Sequence, residues 1–454
     1  MVEHIDISEE PKARKPLPHT ESSDPTTNVS ENENIVTVRL NSFQVITIVV
    51  ALLITASVSF LGGVVYNRQT GVASSDEFEV FWEAWNFIDS EYYQEPPSVT
   101  ERVYGGLTGV VSTLDQFSSI SPPVQAEQNR EFIAGKFGGI GAQVSINENQ
   151  EPFIVDVIRD ACTNTTPADR AGLQANDVIR AVDGQAVIGW AIEDVVDIVK
   201  GDPGTDVVLT IFRPFEDGDG EEMDIRIRRD AIDQITVHDA MIDDVGYLYL
   251  QSFNHVSSQQ MQCKLEILMD ENPRAIILDL RGNGGGLLNE SIEIADMFLD
   301  QGLVLIQRDR HGNEERHFSE NDGIAEDIPL AVIINENSAS ASEVVAGALQ
   351  DRGRAILVGK TSFGKGSVQL VHELSDGGEL RVTSAAWYTP SGEQIHEIGL
   401  TPDILVEGAL IDGDGNDLAV EAAMNYLDEH FASDSGRSAQ TTPETELTED
   451  IIGG

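Results

Sequence analysis

The sequence predicts an α/β fold, preceded by a short helical segment and one long apolar span. Three observations carry this. Residues 245–250, 275–280 and 330–334 are near-continuous apolar runs of the kind buried in parallel sheets, and they alternate with helical repeats at residues 290–299 and from Ser342 onward. The length of 454 residues suffices for two or three domains with cores of their own. Residues 43–66 carry no charge, and a run of about 24 such residues is enough to cross a bilayer as a helix.

Taken in order, residues 1–42 are polar and rich in Pro, Ser, Thr, Asn and Glu, with too little apolar surface to offset ordering entropy. They are expected to be disordered, as is the acidic tail at 433–454. Residues 43–67 read as a retained transmembrane helix. A cleavable signal peptide is the alternative, but its apolar part is shorter and begins nearer the N-terminus. Lys12, Arg14, Lys15 and Arg39 precede the span while Arg68 alone follows closely. That asymmetry places the tail in the cytoplasm and the rest outside, on a single-pass cell-membrane protein. Residues 68–128 form an N-terminal helical segment. Phe78, Phe81, Trp82, Trp85 and Ile88 lie at helical spacing, an aromatic stripe suited to packing rather than to a cofactor, and a second helical stretch covers 103–114.

A formal net charge of −50 argues against binding to nucleic acid or to anionic lipid through the folded part, and it would suit a salty medium. Cys162 and Cys263 fall in different domains and read as ordinary residues, neither a metal cluster nor a disulfide framework. The nine histidines, His372 and His396 among them, show no metal-ligand spacing, and no cofactor is expected.

Within residues 129–215, Phe137-Gly138-Gly139-Ile140-Gly141 forms a glycine loop whose amides suit a carboxylate. Thr166-Pro167-Ala168-Asp169-Arg170-Ala171-Gly172-Leu173 follows, then Val182-Asp183-Gly184 and the turn at Gly201-Asp202-Pro203-Gly204. Together these resemble a PDZ domain. Asn176 stands where that pattern has glycine, a position asparagine tolerates in a left-handed turn. An acidic loop at 216–222 then leads into the last domain, 216–432.

Three stretches of that domain carry chemistry. Ser340 sits where the strand ending at Ile334 turns into a helix, near free backbone N–H groups and the positive end of the helix dipole, a good place for a nucleophile. Ser340-Ala341-Ser342-Glu343 equally fits a capping box. Lys365 lies between Gly364 and Gly366 with no carboxylate within four residues, in a chain holding only seven lysines. A lysine desolvated there loses part of its pKa and can act as a base. Arg281-Gly282-Asn283-Gly284-Gly285-Gly286 follows a strand but lacks the ending of a phosphate-binding P-loop.

These stretches resemble the carboxyl-terminal processing peptidases, or tail-specific proteases, over roughly residues 76–430. The resemblance implies a crotonase/Clp-protease-like α/β catalytic domain with an inserted PDZ domain. It implies Ser340 as nucleophile, Lys365 as its base and Gln369 as the residue orienting the lysine. Backbone amides of Gly285 or Gly286 and of Ala341 would form the oxyanion hole, with Gly284 replacing the family's proline. Phe137, Gly138, Gly139, Ile140 and Gly141 would hold a substrate's C-terminus. Leu114-Asp115-Gln116-Phe117-Ser118 matches another family turn, with Gln116 in place of proline, a departure expected to leave the chemistry untouched. Asp351 is a weaker candidate for a supporting role. The expected partners are protein or peptide substrates with free C-termini and the membrane, with room for a regulatory or adaptor protein and for a homo-oligomer. The rivals are a catalytically silent peptide-binding scaffold of the same fold and a histidine-based triad, although no histidine is motif-linked to Ser340.

Overall fold

The computed structural model describes residues 75–215, 219–320, 322–411 and 415–431. The polar tails and the apolar span at 43–67 lie outside them. Among the described residues no helix is long and apolar enough to cross a membrane. The chain divides into two units, one ending at Pro96 and the other beginning at Pro97. In the first, helix α1 (Ser75–Glu91) carries the aromatic stripe, but the stripe is not a buried core. Trp82 is 56 % exposed, and the Phe81 ring meets those of Trp82 and Trp85 at 5.4 and 5.8 Å along the helix.

In the second unit α2 (Val99–Val111) begins at Val99 rather than Val103, because Ser98 caps it. The Glu101 N–H donates to Ser98 Oγ at 3.3 Å, and the Ser98 N–H donates back to the Glu101 carboxylate at 2.8 Å. Strand β1 (Ser119–Ser121) and helix α3 (Pro123–Ala134) follow, so the boundary expected at 128/129 falls inside a helix. Strand β2 (Lys136–Gly139) leads into the PDZ domain.

That domain consists of β3 (Ala142–Ile146), β4 (Pro152–Val157), α4 (Pro167–Ala171), β5 (Val178–Val182), β6 (Gln185–Ala186), α5 (Ile192–Val199), β7 (Asp206–Pro214) and β8 (Gly220–Arg228). The sheet order is β3-β4-β5-β7-β8, with β6 beside β5. Its core gathers Ile154, Leu173, Ile179, Leu209, Ile211 and Ile227. Asn176 has φ 71°, the left-handed turn expected of it. The domain runs further than the boundary at 215: β8 pairs with β7 along its whole length. The acidic run concealed this strand, in which Met223, Ile225 and Ile227 alternate with Asp224 and Arg226, the period of a half-buried strand.

Strand β9 (Asp230–Asp233) returns to pair antiparallel with β2, closing the neck of the insertion. The catalytic-type domain then runs β10 (Val237–Ile242), β11 (Val245–Leu250), α6 (Ser257–Asp270), β12 (Ala275–Asp279), α7 (Leu288–Asp296), β13 (Gly302–Asp309), β14 (Glu314–Ser319), β15 (Leu330–Ile334), α8 (Ala341–Asp351), β16 (Ile356–Gly359), β17 (Ser367–Glu373), β18 (Glu379–Tyr388), β19 (Ile404–Leu405) and α9 (Leu418–Phe431). Its main sheet has the order β10-β11-β12-β15-β16-β19, parallel except between β10 and β11. One face packs on α6, α7 and α8 through Leu248, Leu278, Val332 and Val345, and the other on α9 through Ile277, Ile333 and Leu427. Both faces being covered explains the continuous apolar runs. A second sheet places β17 on one side of β18 and β13 and β1 on the other.

Cys162 and Cys263 are not ordinary thiols. They form a disulfide, Cα–Cα 5.7 Å, across a sequence separation of 101. It ties the loop after β4 of the PDZ domain to α6. Beside it the buried Lys264 donates to Asp160 Oδ2 at 2.6 Å and pairs with Asp239 Oδ1 at 2.9 Å. Only the docking of the PDZ domain on α6 brings the two cysteines together, so spacing along the chain could not reveal the pair.

Candidate active site

Strand β15 ends at Ile334, and the chain turns through Ser340 into α8. Ser340 has φ 56° and ψ −113°, a conformation that costs a residue other than glycine about 1–3 kcal/mol. The neighbouring serines hold this turn. Ser338 Oγ donates to the Leu280 carbonyl and Ser342 Oγ to the Asn283 carbonyl, each at 2.8 Å, and the Ala339 N–H donates to Asn283 O at 3.0 Å. Of the three serines in the motif, two therefore bind the glycine loop and the third, Ser340, faces the cleft.

The glycine loop follows β12. The Arg281 guanidinium is clamped between Asp279 and Asp417. Asn283 is fully buried. Its Nδ2 donates to Leu250 O at 2.9 Å, and its Oδ1 accepts the Gly285 N–H at 2.9 Å. A side chain at Gly285 (φ 100°) would come within 2.8 Å of Ser340 Cβ, so glycine lets this loop touch the serine turn. Of the three amides expected at the oxyanion hole, that of Gly285 is committed to Asn283, whereas those of Gly286 and Ala341 have no acceptor among the described residues.

Lys365 lies between β16 and β17. A side chain at Gly364 would stand 2.8 Å from the Gly399 nitrogen, and one at Gly366 2.8 Å from the His396 nitrogen. Both glycines are set by the close approach of the segment 395–399. Trp387 Nε1 donates to Lys365 O at 3.1 Å. The decisive contact is Glu343, which sequence reasoning treated only as a helix cap. Its buried carboxylate accepts the N–H groups of Ser340 (2.8 Å), Gly364 (2.7 Å) and Lys365 (2.9 Å) and the Ser362 hydroxyl (2.6 Å). Burial pushes its carboxyl above the ordinary range, against the pull of these four donors.

Burial also pulls the Lys365 amine below the ordinary lysine range, helped by the positive charge of Arg381 and opposed by Glu343. Among the described residues Lys365 Nζ has neither a carboxylate nor a hydrogen-bond partner. Gln369 does not reach it: Gln369 Nε2 donates to Ser367 Oγ at 2.9 Å and Thr383 Oγ1 at 3.3 Å. Ser340, Lys365, Gln369, Gly285, Gly286 and Ala341 nonetheless line one cleft of about 1010 Å³, walled on its apolar side by Leu287, Val344 and Trp387. Asp351 accepts the Ser391 N–H at 2.8 Å, away from this cleft. Among the described residues no cluster of His, Cys, Asp or Glu could hold a metal ion.

The stretch from Phe137 to Gly141, expected as a loop, is strand in its first part: Phe137, Gly138 and Gly139 belong to β2 and pair with Ile232, Ala231 and Asp230 of β9, and Ile140 and Gly141 connect β2 to β3. A side chain at Gly138 would meet Gly201 O at 2.4 Å, and one at Gly141 (φ 77°) would meet Thr166 at 2.5 Å, whereas Gly139 has room, with its nearest neighbour at 3.6 Å. The Ile140 carbonyl accepts the Ala168 N–H at 2.8 Å.

Because Glu343 holds both chain segments, Glu343→Gln is expected to lower kcat about 10–100-fold with a smaller change in KM, since an amide turns one acceptor oxygen into a donor facing N–H groups. Peptide cleavage kinetics beside a near-UV spectrum of the folded variant check this. Wild-type kcat in a folded Glu343→Gln protein would contradict it.

The model of peptidase family S41 matches residues 244–406, and that of the PDZ domain matches residues 164–213. A carboxy-terminal-processing protease of Bartonella bacilliformis is 38 % identical over 323 residues, covering 70 % of this chain and 72 % of that protein. A probable CtpA-like serine protease of Staphylococcus aureus is 31 % identical over 395 residues, covering 86 % of this chain and 76 % of that protein. Among solved structures, a photosystem II D1 C-terminal processing protease is similar at 26 % identity and a TM-score of 0.43, covering 80 % of this chain and 98 % of that one. The chain therefore belongs to the carboxy-terminal-processing serine proteases of peptidase family S41.

Proposed function

We propose that this protein is a membrane-anchored serine endopeptidase that cuts proteins near their C-termini outside the cytoplasm, using Ser340 and Lys365 as a dyad. The observation that carries the reading is the single buried carboxylate of Glu343, bonded to the backbone of both residues at the edge of one cleft. A desolvated, unpaired lysine amine can be neutral near physiological pH and accept a proton. Ser340 Oγ attacks the substrate carbonyl carbon, Lys365 Nζ takes the hydroxyl proton, and the carbonyl oxygen becomes an oxyanion facing the amides of Gly286 and Ala341. The C–N bond breaks as the ammonium returns its proton to the leaving amine, and water then releases the acyl group by the same route. One backbone donor aimed at the oxyanion contributes about 3 kcal/mol. Leu287, Val344 and Trp387 suit an apolar side chain next to the cut bond. Gln369 supports the dyad through Ser367 on its own strand β17 and Thr383 on the neighbouring β18, and catalytic hydrogen bonds commonly close only when substrate arrives.

Ser340→Ala and Lys365→Ala are each expected to abolish cleavage in a folded protein, and Lys365→Arg equally, since a guanidinium stays protonated. In the parent, kcat/KM rises with pH as the amine loses its proton. Its acid limb therefore lies below the ordinary lysine value of about 10.4. A pH–rate profile with these variants is the test. Activity surviving in Lys365→Ala and lost in a histidine variant would replace the dyad by a histidine-based site.

The PDZ domain is read as the substrate's C-terminus reader, coupling that contact to the active site through the β2–β9 neck. Coupling free energies of about 1–3 kcal/mol limit activation to roughly fivefold to a hundredfold. Amidating a substrate's C-terminus is expected to slow cleavage within that range, and Gly139→Val, whose Cβ finds no neighbour closer than 3.6 Å, to do the same while leaving Ser340 labelling by a small probe unchanged. Equal cleavage of free and amidated substrates would reassign the domain to docking a partner protein.

The uncharged span at 43–66, the basic residues before it and the Cys162–Cys263 disulfide support a cytoplasmic tail and an extracytoplasmic catalytic domain, because disulfides persist in oxidising compartments. Protease added to cells stripped of any outer barrier is expected to digest the large part and spare the tail. Protection of the large part would sink this topology.

A further inference from the structure

The turn between α2 and β1 is expected to leave the chemistry untouched, yet it reaches Lys365. The Asp115 carboxylate accepts the N–H groups of Phe117 (2.7 Å) and Ser118 (2.6 Å) and the Ser118 hydroxyl (3.0 Å), a closed turn that fixes the direction of residue 117. Ser118 Oγ in turn accepts the Thr383 N–H at 3.1 Å, joining the turn to β18 beside the hydroxyl that holds Gln369. The Phe117 ring so placed lies over the Lys365 ammonium, 5.7 Å from Nζ to the ring centre. It meets the rings of His396 and Phe363 edge-on at 5.4 and 6.4 Å.

We propose that Phe117 is a positioning residue for the reaction, its ring roofing the Lys365 side chain so that the amine stays dry and is aimed into the cleft. This rests on Lys365 being the base. Two effects of the ring oppose each other: its face attracts the ammonium, and its bulk keeps water off. The attraction fades by about 6 Å, so at 5.7 Å it is weak. Loss of water can move a lysine by up to several pH units, so dryness wins. The other charged or titratable groups near Lys365 are Arg381 on β18, Glu343 on α8, Glu379 on β18, which lines the same cleft and pairs with Arg381, and His396, which packs on the Phe117 ring. Against the effect of burial, Asp115 is held below the ordinary carboxylate range by donors of its own turn and by Thr383 on β18.

The test is the pH dependence of kcat/KM in the full-length protein carrying Phe117→Ala, Phe117→Leu or Phe117→Tyr, with folding followed by near-UV dichroism. Phe117→Ala is expected to move the acid limb upward by about one pH unit, with activity recovering at high pH, as water reaches the amine. Phe117→Leu moves it less, and Phe117→Tyr, which keeps the ring, leaves it in place. If Phe117→Ala does not fold, the comparison of Leu with Tyr carries the test. Activity lost at every pH with the limb unmoved would show a merely structural turn, and a limb moving downward would show that attraction outweighs dryness. Either result overturns the proposal. Lys365→Ala that stays active would instead remove the base reading, a failure separate from any outcome at Phe117.

Discussion

The Glu343 carboxylate is the contact on which the active-site geometry depends. Taking a carboxylate out of water costs several kcal/mol. Four donors, each contributing about 1.5–3 kcal/mol to a charged acceptor, offset that cost. All four partners donate, the pattern that suits the ionised form. The result is that two chain segments, one at the start of α8 and one before β17, share an anchor and cannot drift apart independently. The first turn of a helix also favours an anion, so the fold places this charge where the backbone helps to hold it.

The strain at Ser340 is intelligible against that anchor. A serine at φ 56° needs its surroundings to over-determine it. Glu343 holds the Ser340 amide from one side, and Asn283 holds the turn from the other through Ala339 and Ser342. The Asn283 side chain also fixes Gly285 and the end of β11, so one buried residue, through its side chain and its own carbonyl, sets the spacing between the glycine loop and the Ser340 turn. A strained serine held in this way from both sides has little freedom left to reorient its backbone.

Much of the catalytic-type domain was legible because its signals are local. The runs that became β11, β12 and β15 are buried on both faces, so their composition alone marks them. Ser340 could be placed at a strand-to-helix turn by the change of period beside it. What stayed hidden depends on contacts distant along the chain. Glu343 lies 22 residues from Lys365, and nothing local distinguishes a cap from a clamp. Cys162 and Cys263 meet only after the PDZ domain docks. The end of that domain was misread because acidic residues on the exposed face of β8 outweighed the alternation beneath them. Asn283, enclosed among glycines, carries no local signal of its role, which is to tie the loop to the end of β11 and to Gly285.

The scarcity of cations gives the unpaired state of Lys365 its weight. With 78 acidic and 28 basic residues, an ion pair is easy to find, and the fold uses most opportunities. Lys136, Lys264 and Lys360 each meet a carboxylate, and Arg281 meets two. The two other described lysines rest on aromatic rings instead: the exposed Lys200 over Phe137 at the mouth of the PDZ loop, and Lys365 over Phe117 in the cleft. In so acidic a chain a lysine stays unpaired only where the fold keeps acids away. Near Lys365 the Glu343 carboxylate is already occupied by four donors, and Glu379, which lines the same cleft, is paired with Arg381. The same carboxylate that fixes the backbone of Lys365 makes no ion pair with its amine, and burial outweighs its pull on that charge.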